Sequence, residues 1–136
     1  MISVTVALIS HDKKKDLMVH FCIAYCGILS KHTVCATQTT GQLVEEATGL
    51  QIHKYLSHSH GGLQQIGARI AYGEIDMVIF FVDPHSHDMD HELSEITHLC
   101  DQYNVPFASN IATAEMLIHG LARGDLDWRA ILSPKT

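Results

Sequence analysis

Met77–Val82 reads MVIFFV, six apolar residues in a row between Asp76 and Asp83. A strand with one solvated face alternates apolar with polar residues. One that is apolar throughout must be covered on both faces, as strands of parallel sheets are. Parallel strands in turn need long crossover connections, normally helices. This stretch therefore asks the rest of the chain for alternating strands and helices.

The chain supplies them. Ile2–Ile9 sets Ile2, Val4, Val6 and Leu8 against Ser3, Thr5, Ala7 and Ile9, which predicts a mostly buried strand. Ser10-His11-Asp12 offers caps for a helix running to about Leu29, with Leu17, Met18, Phe21, Cys22, Tyr25, Ile28 and Leu29 on its apolar stripe. A strand at Thr33–Ala36, a turn at Thr37–Gly41 and a helix from Gln42 to Gly49 follow. Gln51–Leu56 is a weaker strand, Ser57–Gly62 a loop, and Leu63–Tyr72 a helix stopped by Gly73. Beyond MVIFFV come a polar loop at Asp83–Asp90, a helix at His91–Tyr103, a strand at Val105–Ser109 and a helix at Ile111–Ala122. The expectation is a single α/β domain over residues 1–136. It is doubly wound, with a mainly parallel five-stranded sheet and helices on both faces.

Composition narrows the setting. With 46% hydrophobic residues, 18% charged and only 3 prolines, the chain is of the ordinary globular kind. Charged or polar residues interrupt every apolar run before membrane-spanning length, and Met1–Ile9 alternates where a signal peptide would be continuously apolar. The cytoplasm is the expected location. A net charge of −6 argues against a nucleic-acid partner. The four cysteines form no CxxC pair, and Cys22 and Cys26 read as small buried hydrophobes.

In a doubly wound sheet the loops after the strands converge at one edge, where ligands bind. Ser10–Lys15, Thr37–Gly41, Ser57–Gly62, Asp83–Asp90 and Asn110–Thr113 should then surround one crevice. Thr37, Thr39 and Thr40 bring three hydroxyls to a strand-to-helix junction, which suits phosphate or carboxylate. N-capping alone would need one of them. Lys13, Lys14 and Lys15 sit in a first helical turn, where cations oppose the helix dipole. Lys15 directed at a bound anion makes sense of that cost. His11, neutral, could polarise a carbonyl as an electrophile does in enolisation. The segment Asp83–His91, DPHSHDMDH, is rich in potential metal ligands, and His58 and His60 add to the 11 histidines, but the spacing matches no metal-binding pattern.

Taken together these segments resemble the methylglyoxal synthase family over essentially the whole chain. The family's A-H-D-x-x-K stands here as Ser10-His11-Asp12-Lys13-Lys14-Lys15, and its A-T-G-T-T-G as Ala36-Thr37-Gln38-Thr39-Thr40-Gly41. S-G-P-x-G-G-D-Q-Q-I-G-A is matched by Ser57-His58-Ser59-His60-Gly61-Gly62-Leu63-Gln64-Gln65-Ile66-Gly67-Ala68. A D-P loop ending in H-x-P-D appears, a few residues shorter, as Asp83-Pro84 with His87-Asp88-Met89-Asp90. A-T-N-x-A-T-A-E/D appears as Ala108-Ser109-Asn110-Ile111-Ala112-Thr113-Ala114-Glu115.

The resemblance implies a homohexameric lyase that converts dihydroxyacetone phosphate to methylglyoxal and phosphate, with no cofactor or metal. A carboxylate removes a proton beside the carbonyl, an enediolate forms, and phosphate is eliminated. Phosphate contacts carry over to Lys15, Thr37, Thr39, Thr40 and Ser57, with His11 and His87 near the substrate oxygens and Asp12, Asp83 and Asp90 as site carboxylates. Three departures bear most directly on the chemistry. Leu63 replaces the family's catalytic aspartate, Gln38 replaces a glycine, and His58 replaces another and could add a phosphate contact of its own. Three functions are therefore expected in turn: a divergent synthase using Asp12 or Asp90 as base, a catalytically silent phosphate-metabolite-binding module, and, more distantly, a His-rich metal-binding protein. If Leu63 holds the base position, Leu63→Asp should raise activity.

Overall fold

The computed structural model of the chain describes residues 2–132. Five parallel strands form one sheet: β1 (Thr5–Ser10), β2 (Thr33–Ala36), β3 (Ile52–Lys54), β4 (Met77–Phe81) and β5 (Phe107–Ala108), in the order β3-β2-β1-β4-β5. Pairing is in register at the centre, with Val6 beside Val34 on one flank and Met77 on the other. The helices are α1 (Lys15–Ala24), α2 (Cys26–Leu29), α3 (Gln38–Thr48), α4 (Gly62–Ala71), α5 (Asp90–Tyr103), α6 (Ile111–Arg123) and α7 (Asp127–Leu132). Short 3₁₀ turns at Asp12–Lys14 and His58–His60 precede α1 and α4. The doubly wound α/β sheet expected from MVIFFV is present.

Strand alternation divides the core in two. Val6, Leu8, Met77, Ile79 and Phe81 face α1, α3 and α6 through Met18, Phe21, Val44 and Ile118. Ala7, Ile9, Val78 and Phe80 face α4 and α5 through Ile66, Ile70, Ile96 and Cys100. All five residues of β4 are buried, as a strand apolar on both sides requires.

Several boundaries differ from the expectation. The helix expected to run unbroken to Leu29 is interrupted at Tyr25, whose backbone (φ −111, ψ 22) leaves the helical range. The Tyr25 hydroxyl donates to Glu115 on α6 and its ring packs edge-on against His119, so a tertiary tie sits at the break. Thr37–Gly41 is not a free turn: α3 begins at Gln38 with Thr37 as its N-cap. One further helix, α7, follows the last expected one. Its Arg129 pairs with the buried Asp76 at 3.3 Å and donates to the carbonyls of Tyr103 and Asn104.

One close approach fixes how α4 leaves the loop after β3. A Cβ on Gly62 would stand 1.8 Å from the Leu56 carbonyl oxygen, so only glycine fits. Among the described residues no helix is long and apolar enough to cross a membrane.

Candidate functional site

The carboxyl ends of β1, β2, β3 and β4 deliver four of the five expected loops to one small cavity of about 150 Å³. Ser10, Asp12 and Lys15 come from the first loop, Thr37, Thr39 and Thr40 from the second, Ser57, His58 and Ser59 from the third, and Met89 from the fourth. The fifth, Asn110–Thr113, does not line it: Asn110 accepts from the Thr113 N–H and caps α6 instead.

The walls are rich in donors. Thr37 makes no capping bond with its side chain, so its hydroxyl remains for the cavity. The first intrahelical bond of α3 runs from the Gly41 N–H to the Thr37 carbonyl, leaving the earlier N–H groups at the positive end of the helix. Thr40 and Ser10 share a buried hydroxyl pair at 3.1 Å. Lys15 is largely buried, with only 15% of its side chain exposed, and pairs with Asp12 at 2.5 Å. The hydrogen bond from Lys15, and then its charge, hold the Asp12 carboxyl below the ordinary carboxylate range. Ser57 and Ser59 lie within hydrogen-bond reach of His60 Nδ1.

The other half of the crevice is closed. His11 is 2% exposed and both its ring nitrogens are engaged. Nδ1 accepts from the Asp83 N–H at 3.0 Å, so Nε2 carries the proton and donates to the Asp88 carbonyl at 2.7 Å. This is the neutral form expected for an electrophile, but its N–H is already directed at the Asp83–Asp90 loop. Asp83 does not line the cavity, and its side chain accepts from the His85 N–H. His87 and Asp90 pair at 3.3 Å at the surface, with 96% and 59% of their side chains exposed, also away from the cavity. Gln38 is exposed and is not among the lining residues.

Leu63 follows Gly62 at the start of α4, but its side chain is 2% exposed and packs in the core with Ile9, Ile66 and Phe80. The base position of the family motif is thus filled by core. Of the carboxylates expected to serve the site, Asp12 is the one that lines the cavity.

Ser10, Ser59 and Met89 line the cavity without having been singled out from the sequence. Ser10 could have been found as the last residue of β1; Met89 carries no polar signal at all. The histidines do not gather into a metal cluster among the described residues. Instead His58 pairs with Asp88 at 3.4 Å and His91 with Glu95 at 3.0 Å.

The family model for the MGS-like domain matches residues 18–109. A methylglyoxal synthase of Caldicellulosiruptor saccharolyticus is 58% identical over 133 residues, covering 96% of this chain and 93% of that protein. One of Oceanobacillus iheyensis is 52% identical, covering 96% and 94%. The crystal structure of methylglyoxal synthase from Elizabethkingia anophelis superposes with a TM-score of 0.77 at 40% identity, over 85% of this chain and 77% of that one. The chain belongs to the methylglyoxal synthase family, and its function is of the methylglyoxal synthase type.

Proposed function

We propose that the cavity binds dihydroxyacetone phosphate by its phosphate group and converts it slowly to methylglyoxal and phosphate, with Asp12 as the base. The observation that carries this reading is the convergence of Lys15, Thr37, Thr39 and Ser57 on one small cavity at the start of α3. Lysine charge, hydroxyls and free N–H groups suit a phosphate monoester. The Asp12 carboxylate takes a proton from the carbon beside the carbonyl, and that C–H pair becomes the enediolate double bond. The enediolate then expels phosphate with its C–O bonding pair, and the enol left behind gains a proton on carbon and gives up its hydroxyl proton to become methylglyoxal.

Turnover is slow for two reasons. Asp12, tied to Lys15, is a weak base, and the usual aspartate position holds Leu63. A well-placed general base contributes about 10²–10⁴-fold, and most of that is forgone. Methylglyoxal formation should fall to background in Asp12→Asn while orthophosphate still binds. Turnover that survives Asp12→Asn would remove Asp12 from the role of base.

A second reading, a silent phosphate-metabolite-binding module, draws on the complete engagement of His11 by the Asp83–Asp90 loop. It predicts binding of the same ligand with no methylglyoxal or phosphate released. A cytoplasmic location goes with either reading; all four cysteines are free, as suits a reducing compartment.

A further inference from the structure

We infer that Met89 determines which ligands the cavity accepts, by occupying the space that the carbon skeleton of a phosphate ester would need. This rests on the phosphate-binding reading given above.

The N-cap position of α5 is taken by Met89 in the left-handed conformation (φ 63, ψ 17). Proline, which the family motif places here, cannot adopt that φ. The shortened loop therefore follows a different backbone path from the motif it matches. On this path the Met89 side chain turns inward: it is 6% exposed, packs in the same core cluster as Leu63 and Phe80, and forms a wall of the cavity. The Asp88 carbonyl beside it takes the His11 Nε2–H, so the His11 ring has no donor left for a substrate carbonyl. The lining is otherwise polar, with ammonium and hydroxyl donors from Lys15, Thr37, Thr39 and Ser57, and Met89 is its one apolar residue. A tetrahedral oxyanion is met by these donors, while a three-carbon skeleton must share a cavity of about 150 Å³ with the Met89 thioether. The site should then bind orthophosphate at least as tightly as a triose phosphate.

Calorimetric titration of the full chain with orthophosphate and with dihydroxyacetone phosphate tests this. The wild type should bind the two within about threefold of each other, or favour orthophosphate. Glycine accepts the left-handed backbone, so Met89→Gly removes the plug while keeping that backbone conformation accessible. It should tighten triose phosphate binding by about tenfold, the low end of what one methylene is worth in a pocket, and leave orthophosphate within twofold. If that variant does not fold, the wild-type ratio and Met89→Ala carry the test. Wild-type preference for the triose phosphate by more than tenfold, or a ratio unmoved by Met89→Gly, would overturn the inference while leaving the phosphate reading intact. Failure of orthophosphate to bind the wild type would overturn both.

Discussion

Lys15 and Asp12 show how much of the site's behaviour rests on single side chains. Lys15 is the cation at the cavity and is mostly buried. Lys15→Ala should weaken orthophosphate binding by the ~1.5–3 kcal/mol of a charged hydrogen bond; unchanged affinity by calorimetry would remove the lysine from the site. The same substitution acts on Asp12, whose carboxyl is held low chiefly by the Lys15 hydrogen bond. A depressed carboxyl pKa gives stability that is present above the unfolded value and lost as pH falls through the folded one. A ¹³C titration of the Asp12 carboxyl should place its midpoint below the usual ~3.9, and Lys15→Ala should bring it back up. Leu63 behaves differently from its motif. Because its side chain lies in the core, Leu63→Asp alone sets a carboxylate against Ile9 and Phe80, a costly placement. We expect a lower melting temperature and little gain in methylglyoxal from that change by itself. Combined with Met89→Gly, which opens a way from core to cavity, the gain should exceed the single variant's by about tenfold, a coupling typical of neighbours. Equal rates for the single and double variants would count against it.

At the scale of elements, legibility followed the range of the forces. β4 was plain in the sequence because burial on both faces leaves no polar position. The stops at Gly49 and Gly73 were legible too, since their positive φ of 76 and 75 is a local demand. The break at Tyr25 was not: the apolar stripe runs through it, and the tie to Glu115 spans 90 residues. Nor was α7, six residues too short to hold a helix alone. It is docked by Arg129 on Asp76, a pair with side chains only 12% and 6% exposed. Arg129→Ala removes the cation from a buried carboxylate that still accepts from the Thr5 N–H at 2.9 Å, so stability should fall by about 3 kcal/mol in denaturant unfolding, the low end of breaking a buried pair. A loss under ~1 kcal/mol, as for a surface pair, would mean that α7 is held by something else. The site was legible on the same terms. Its hydroxyl-bearing wall is built largely from residues adjacent in sequence, Thr37–Thr40, next to a strand end. The closed half depends on the backbone path of a shortened loop, and nothing in the word Met89 announces it.

For the whole molecule, we propose that the chain is one domain and assembles as a homohexamer, as the family resemblance implies. Ile23, Tyr72 and Met116 leave large apolar surface exposed at 51%, 78% and 74%, which suits subunit contacts. Light scattering at micromolar concentration should give a mass near six times 15.1 kDa; a monomer would contradict it. We propose that the fold keeps the phosphate-binding donors of a methylglyoxal synthase site and has lost the motif's catalytic aspartate. The most direct test is the steady-state rate of methylglyoxal formation from dihydroxyacetone phosphate, run beside a family member that carries the motif's aspartate, with orthophosphate as inhibitor. Orthophosphate should inhibit both proteins competitively, and kcat should be lower here by about 10²-fold or more. Equal kcat values, or turnover that orthophosphate does not inhibit, would contradict it.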